Sequence, residues 1–382
     1  MKATRPLEDV LVLSMAEQYP GPYATLLLAD LGARVIMIER PEGGDPARQL
    51  PAFFAAINRN KQSVVLDLKS RVGRDAIRRL AARTDVFLEG FRPGVAERLG
   101  VDYDTLTAAN PRLIYASISG FGQTGPYRTR PAHDLSYLGL AGLLYRQARE
   151  HKTGETSDIP IGDLSAAMFA AIAVLTGMFA RERTGKGTFV DVSVTDGLVS
   201  WMTGFLSPIM NGKPLEDQTL ASPAYGAFIC SDGSLLTLSI AHEDGFWQNL
   251  CRSVGLDEVA ALNHSERILR SEELRRRIAA SIRARTRDEW TDILDRADVP
   301  WSPIHDLTEV AQDPHLRVRG MFVQLASTSG SQEWHISQPL QFRGYKTDPT
   351  RPAPALGEHT EEVLREHGFS HEEIERVIRR MP

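Results

Sequence analysis

The chain has 382 residues, of which 42% are hydrophobic, and a formal net charge of −5 at pH 7. This length exceeds one ordinary core and predicts two domains. The negative charge disfavours a general nucleic-acid binder, but it allows a local basic pocket for an anionic ligand.

Targeting and redox signals are weak. Cys230 and Cys251 are too few for a disulfide framework and have no partners at metal-ligand spacing, so we expect no metal site. The N-terminal residues lack the apolar core of a signal peptide. No apolar run reaches the length that spans a membrane, because even the run over 168–179 stops at Arg181. We therefore expect a cytoplasmic protein with no membrane partner.

The N-terminal part alternates strand and helix patterns. Residues 9–14 are typical of a buried strand, 21–32 of an amphipathic helix and 33–38 of a second strand. This order predicts a βαβ unit with a right-handed crossover and a parallel sheet. The turn at 19–22 has no G-x-G-x-x-G pattern, so a dinucleotide site of the usual kind is not supported.

Basic residues follow the predicted strands. Arg40 comes after the second strand, Lys69 after a strand over 64–68, and Arg92 after one over 85–88. Ligands of open α/β sheets bind at the carboxyl ends of strands, so these cations suggest a phosphate-bearing ligand. Solvated surface charge is the alternative, since the chain has 44 Lys and Arg residues.

Two apolar segments with helical spacing, 135–145 and 164–179, are each entered through an aspartate. Asp134 and Asp163 could each be only an N-cap that accepts a backbone N–H bond. However, His133 adjoins Asp134, and a helix N-terminus favours an ionised carboxylate at Asp163. That setting also suits a nucleophile or a base.

Five stretches in one order carry a resemblance to a known family: ADLGARVIMIERPEGGDPAR, NRNKQSVVLDLK, EGFRPGVAERLGVDY, NPRLIYASISGFGQTGP and RERTGKGTFVDVSVTDG. They resemble the class III CoA-transferase and α-methylacyl-CoA racemase family, which includes formyl-CoA and carnitine CoA-transferases. The likeness extends to the C-terminal PALGEHTEEVL and covers essentially the whole chain.

The resemblance implies an α/β fold with a Rossmann-like parallel-sheet large domain and an inserted smaller α+β domain. It also implies an interlocked homodimer. Strand-like runs over 225–240 and an amphipathic surface helix over 272–287 are consistent with the inserted domain. We expect the large domain over 1–195 and 330–382, linkers over 196–224 and 308–329, and the small domain over 225–307.

The resemblance further implies that coenzyme A binds, as the acyl-CoA substrate. Two positions depart from the family: Gly90 stands where Asn is common, and Pro131 stands where formyl-CoA transferases have a basic residue, for which Arg130 is a candidate substitute. The residues expected to contact CoA are Arg40, Leu66, Lys69, Phe91, Arg92 and Arg98.

Asp163 occupies the position of the family's catalytic aspartate. As a nucleophile it would attack the thioester, giving a mixed anhydride and free CoA thiolate. The thiolate would then form an aspartyl-CoA thioester, from which the acceptor carboxylate takes over the CoA. As a base, Asp163 would instead move the proton α to the thioester carbonyl.

His133 divides these two chemistries. Racemases of the family carry a His-Asp pair here, and the interval 163 − 133 = 30 residues matches theirs, with the two groups on opposite sides of the α-carbon. Glu243 stands where racemases have a glutamate that supports the aspartate. Formyl-CoA transferases instead have Tyr at the histidine position and a glycine-rich flap that this chain lacks. Against a racemase, most bacterial members are regarded as CoA-transferases, and His242 and Asp244 depart from the racemase pattern.

We therefore predict CoA transfer between an acyl-CoA and a small carboxylic acid, with Asp163, His133, Asp134 and Glu243 as catalytic residues. Racemisation of a 2-methylacyl-CoA by His133 and Asp163 is the alternative. A non-catalytic acyl-CoA-binding protein is a third interpretation, which the presence of Asp163 disfavours.

Overall fold

The computed structural model describes residues 5–146, 158–215, 221–327, 330–347 and 349–378. They form two compact units. The larger contains the chain up to Leu206 and again from Gly320, and the smaller is Ser207–Arg319. Both division points fall inside the segments predicted as linkers, of which residues 216–220 and 328–329 lie outside the described parts.

A six-stranded parallel sheet forms the centre of the larger unit. Its strand order is β3-β2-β1-β4-β5-β6, so the order reverses between β1 and β4. Such a reversal opens a crevice at the carboxyl ends of the strands, where ligands bind. The strands are β1 (Leu11–Ser14), β2 (Arg34–Glu39), β3 (Lys61–Val65), β4 (Val86–Glu89), β5 (Ile114–Ser119) and β6 (Thr188–Ser193).

Helices cover both faces of this sheet, because alternate strand residues point to opposite sides. Val12 joins the apolar layer that α1 and α7 cover, whereas Leu13 joins the layer under α3. The helices of this part are α1 (Pro20–Asp30), α2 (Pro51–Asn58), α3 (Arg71–Ala81), α4 (Val95–Leu99), α5 (Tyr103–Thr107), α6 (Asp134–Leu140), α7 (Ile161–Thr184), α8 (Val194–Trp201) and α9 (Thr203–Met210).

The smaller unit has a three-stranded antiparallel sheet, β7-β8-β9, and its own apolar core, in which Cys230 and Cys251 are buried as free cysteines. The predicted helix over 272–287 is wrong in extent, because a capping box at Thr286 and Glu289 begins a separate helix. The elements are β7 (Tyr225–Ile229), β8 (Leu235–Ser239), α10 (Asp244–Val254), α11 (His264–Leu269), α12 (Ser271–Ile282), α13 (Arg287–Arg296), β9 (Trp301–Ile304), α14 (Leu307–Gln312) and α15 (Pro314–Val318).

The C-terminal segment then packs on the large sheet. It contains the antiparallel pair β10 (Phe322–Ala326) and β11 (Gln332–Ile336), followed by α16 (Thr360–Glu366) and α17 (His371–Ile378). The Thr360 hydroxyl accepts the backbone N–H of Val65 at 3.0 Å, which ties α16 to β3. The large unit is thus built from both ends of the chain.

Strand β3 begins at Lys61 and not at Val64, as the apolar pattern had predicted. Lys61, Gln62 and Ser63 are buried and paired with β2 despite being polar. The Lys61 ammonium is satisfied there, since it donates to the Pro22 carbonyl and to Asn58 Oδ1, each at 2.7 Å. Hydrogen bonds of this kind let polar side chains occupy a buried strand.

Helix α7 has 24 residues and is apolar enough, by length and composition, to cross a membrane. The expectation that no apolar run reaches that length is therefore wrong. The charges at 181–183 do not end the helix, because Arg181 is buried and pairs with Asp85 at 3.0 Å. Ala166, Ala170 and Val174 are fully buried in the apolar layer of the large sheet, and a core helix passes the same test of length and composition.

Candidate active site

Two adjoining cavities open at the carboxyl ends of the large sheet. The aspartate cavity, of about 260 Å³, is lined by Asp163, His133 and residues that follow β1, β4 and β5. The arginine cavity, of about 270 Å³, is lined by Arg40 and by residues at the ends of β2 and β3. One edge of the sheet therefore brings together Asp163, His133, Arg40, Leu66, Lys69, Phe91 and Arg92.

A larger cavity, of about 600 Å³, lies at the opposite edge and is lined by Arg34, Asn60 and Gln62, among others. Its Arg34 guanidinium is already engaged, by Gln62 at 2.7 Å and by Glu366 at 2.5 Å. Ligands of doubly wound sheets bind at the carboxyl ends of strands. We therefore assign the functional site to the aspartate and arginine cavities.

The N-termini of α6 and α7 are joined by one carboxylate. Asp134 Oδ1 accepts the backbone N–H of Asp163 at 3.0 Å, so it caps α7 and not the helix that it begins. A Cβ on Gly162 would lie 2.7 Å from this oxygen, which explains the glycine beside Asp163. His133 directly precedes Asp134, so the same contact ties the histidine to the aspartate. Asp134 therefore holds the first turn of α7, on which Asp163 lies.

Burial, and after it the charge of Asp134, raises the pKa of Asp163 to about 6. The charge of Asp163 also acts on two tyrosines that were not predicted as site residues, Tyr137 and Tyr19. Burial and then the Asp163 charge raise the pKa of Tyr137, and the same charge contributes at Tyr19 after burial and Tyr23. Tyr137 donates its hydroxyl to the Ala132 carbonyl at 3.0 Å. Its position one turn after Asp134 was the available signal.

Asp163 must be ionised to act as a base or a nucleophile, so we expect kcat/KM to fall as the pH drops below about 6. Asp134→Asn keeps an oxygen that can accept the Asp163 N–H but removes the neighbouring charge. The fall of kcat/KM in acid should then begin at a lower pH. Measured pH profiles of the wild type, Asp134→Asn and the exposed control Asp104→Asn test this; a fall that begins at the same pH in Asp134→Asn as in the wild type would contradict it.

His133 is exposed and lines the aspartate cavity together with Asp163. Arg128 and Arg130 line the same cavity, and the Arg130 guanidinium lies 5.4 Å from the centre of the Tyr127 ring. A basic side chain is therefore available despite Pro131. Its substitution for the family's basic residue stays a prediction.

The predicted CoA contacts divide among three places. Arg40, Leu66 and Lys69 line the arginine cavity, Arg92 lines the aspartate cavity, and Phe91 lines both. Arg98 is exposed on α4 and appears in neither lining. Arg40, Lys69 and Phe91 of the arginine cavity suit a phosphate-bearing nucleotide. Four carboxylates line the same cavity: Glu17, Glu39, Glu42 and Asp67.

Gly90 lies at the rim of the aspartate cavity. A Cβ there would be 3.3 Å from the Ala16 Cβ, a tight contact, so the glycine relieves crowding between the turns after β1 and β4. A ligand can therefore approach the backbone closely at this position.

The buried side chain of Glu89 stabilises the turn after β4, which contains Gly90 and Phe91. Glu89 accepts the Phe91 N–H at 2.6 Å, and Ser117, with which Glu89 also hydrogen-bonds, accepts Gln123 Nε2 at 2.8 Å. Burial raises the pKa of Glu89 to about 7. Glu89 was not predicted as a site residue, because it directly follows the predicted strand over 85–88.

Because the pKa of Glu89 is higher in the folded state, ionisation destabilises the fold as the pH rises from about 4.5 to about 7. We expect Glu89→Gln to be the more stable protein above pH 7, by on the order of 3 kcal/mol, and to have no such advantage in acid. Thermal unfolding at both ends of that range, with exposed Glu97→Gln as control, measures this. An equal change at both pH values would contradict it.

Glu243 belongs to the smaller unit and immediately precedes α10. It accepts the Ala241 N–H at 2.9 Å, and backbone N–H groups, its own first, lower its pKa. The next residue, Asp244, pairs at 2.6 Å with Arg267, which is fully buried. The acidic residue that departs from the racemase pattern therefore has a structural partner within this unit.

Among the residues that the structure describes, no group of three or more His, Cys, Asp or Glu side chains could hold a metal ion. The chemistry that the larger unit presents is that of a carboxylate, an imidazole and basic anchors. A doubly wound sheet with such a site at its carboxyl edge is typical of α/β proteins that bind a small ligand there.

Residues 7–360 match CoA-transferase family III, and the chain belongs to this family. It is 33% identical to the human alpha-methylacyl-CoA racemase, over 96% of this chain and 95% of that protein. It is 31% identical to the acetyl-CoA:oxalate CoA-transferase of Acetobacter aceti, over 94% of each chain. The crystal structure of a CAIB/BAIF family protein from Brucella suis superposes with a TM-score of 0.84 at 28% identity, covering 95% of this chain and 99% of that one.

These relatives confirm the family and the α/β fold predicted from the sequence. The family contains both CoA-transferases and racemases, and it implies substrates linked to CoA.

Proposed function

We propose that the protein is an acyl-CoA racemase or epimerase that moves the proton α to the thioester carbonyl. The observation that carries this proposal is that His133 and Asp163 line one cavity, joined through Asp134. A two-base reaction requires two such groups at one carbon, whereas CoA transfer requires only the aspartate.

In this mechanism ionised Asp163 takes the α-proton from one face of the substrate. Protonated His133 donates a proton to the other face, so the configuration of the carbon is inverted. Asp163 then ends protonated and His133 ends neutral. The reverse direction uses the same pair with the roles interchanged. A carboxylic pKa near 6 suits both roles close to neutral pH.

CoA transfer, which we predicted from the sequence, is the second candidate. Its specific support is the burial around Asp163, since a poorly solvated carboxylate is a stronger nucleophile. Asp163 would attack the thioester carbon and release CoA thiolate. The thiolate would return to the anhydride, forming an aspartyl-CoA thioester and releasing the free acid. The acceptor carboxylate would attack that thioester and release CoA thiolate, giving a second anhydride. The thiolate would then take the acceptor acyl group from this anhydride and leave Asp163 as the free carboxylate.

In either reaction we place the thioester in the aspartate cavity and the nucleotide end of acyl-CoA in the arginine cavity. Arg40 and Lys69 would contact phosphate oxygens there, and Phe91 would lie beside the adenine region. The second substrate of a transfer reaction would be a small carboxylic acid.

A trapping experiment separates the candidates. The wild type is mixed with a 2-methylacyl-CoA and hydroxylamine, and peptides that contain Asp163 are examined by mass spectrometry. The racemase proposal predicts inversion of the substrate without any adduct. An aspartyl hydroxamate at Asp163 would establish the covalent route and overturn the proposal.

We also propose a homodimer, supported by an apolar stripe on α7. Met168, Ile172, Leu175 and Phe179 are 51%, 53%, 39% and 67% exposed and recur at helical spacing. The opposite side of the same helix is buried in the large unit. A stripe of this length on a core helix is typical of a surface that a second copy covers.

Placing charges on this stripe should prevent dimer formation. We expect the double variant Ile172→Glu/Phe179→Glu to raise the dissociation constant of the dimer more than about 100-fold, because charged groups are costly to bury without partners. Leu269→Glu, at an 86% exposed leucine of the smaller unit, is the control. Light scattering after size-exclusion chromatography gives the mass; a wild type that is active as a 42.3 kDa monomer would contradict the dimer.

A further inference from the structure

The aspartate and arginine cavities share three lining residues, Met15, Glu17 and Phe91. Two of these are apolar, and Glu17 is acidic. A ligand that occupies both cavities at once must pass beside all three. Glu39, Glu42 and Asp67 line the arginine cavity alone, so Glu17 is the acid that the two linings share.

The backbone beside Glu17 is held in an unusual conformation. Gln18 has φ +67°, in the left-handed region that residues other than glycine rarely adopt. The Gln18 N–H donates to both carboxylate oxygens of Asp45, at 3.0 and 3.2 Å, and Asp45 is only 2% exposed. A buried anchor of this kind fixes the direction in which the neighbouring Glu17 side chain leaves the loop.

The Glu17 carboxylate is half-buried, and no residue in the described parts of the chain forms a hydrogen bond with it. Burial raises its pKa, the Arg40 charge lowers it, and the Asp45 and Glu39 charges raise it. Arg40 donates its Nε to the Gly44 carbonyl at 2.9 Å and not to Glu17. An acceptor without a donor therefore stands at the passage between the two cavities.

We propose that Glu17 binds the pantetheine arm of acyl-CoA, accepting a hydrogen bond from an amide N–H or the hydroxyl of that arm. This inference rests on the proposed placement of acyl-CoA across the two cavities. The arm joins the nucleotide to the thioester and offers donors along its length. A carboxylate accepts such donors and repels phosphate, so Glu17 would also keep the phosphates out of the aspartate cavity.

Calorimetry with two probes tests this role. Coenzyme A has the arm, and adenosine 3′,5′-bisphosphate has the nucleotide end without it. Glu17→Ala should weaken CoA binding roughly tenfold or more, because a hydrogen bond to a charged group is lost, and should leave bisphosphate binding unchanged or tighter. Glu17→Gln should retain most of the CoA affinity, since its amide oxygen still accepts. Exposed Glu182→Ala, which lines neither cavity, is the control and should leave the binding of both probes unchanged.

The bisphosphate also reports whether each variant is folded. Equal weakening of both probes by Glu17→Ala, or no change in CoA binding, would overturn the role of Glu17 while leaving the acyl-CoA placement intact. Wild-type protein that binds neither probe would overturn the placement itself, and this inference with it.

Discussion

Asp163→Asn is expected to lower kcat about 10³-fold or more, because general acid-base groups contribute roughly 10² to 10⁴ in rate and both candidate reactions use this carboxylate. The amide has nearly the same size, and its backbone N–H can still reach Asp134, so the fold should persist. CoA affinity should also persist, since Arg40, Leu66 and Lys69 lie in the arginine cavity and not beside Asp163.

The measurement is turnover of a 2-methylacyl-CoA beside CoA binding by calorimetry. Asp158→Asn, at an exposed aspartate just before α7, is the matched control and should remain active. If Asp163→Asn retained more than about a tenth of the wild-type rate, the residue would not be the acid-base group or the nucleophile.

His133→Ala has the second largest expected effect, and it separates the two reactions. Racemisation should fall about 10³-fold, because no group remains to deliver a proton to the second face. Asp163 would still remove the α-proton of one enantiomer, so solvent exchange from that enantiomer should continue. Under CoA transfer the same variant would be only partly impaired.

Each enantiomer is therefore followed separately, by optical rotation for inversion and by mass spectrometry for exchange. His371→Ala, at a histidine 81% exposed on α17, is the control. Racemisation by His133→Ala at the wild-type rate would remove the histidine from the mechanism.

Local patterns were sufficient to predict the parallel sheet. Short apolar runs and intervening helical spacing identify β1, α1 and β2 within two residues of their observed bounds. The strand ends then bring Arg40 and Lys69 to one cavity, as the rule for parallel sheets predicts. These features depend on short-range chemistry, which a sequence displays directly.

The features that were not predicted depend on contacts between residues far apart in the sequence. Asp134 looked like a cap of its own helix, but its acceptor role is toward α7, a relation that exists only after folding. Arg181 looked like a helix end, but Asp85 pairs with it and the helix continues. Glu17 gave no signal, because its position between two cavities follows from the path of distant strands.

The most direct test of the two-base mechanism is α-proton exchange in heavy water. One enantiomer of a 2-methylacyl-CoA is incubated with the wild type, without any acceptor carboxylate, and deuterium at the α-carbon is followed by mass spectrometry. We predict one deuterium per inverted molecule, with inversion and incorporation proceeding together. Substrate that keeps its α-proton and configuration, while rapid CoA transfer follows the addition of a carboxylic acid, would contradict the racemase proposal.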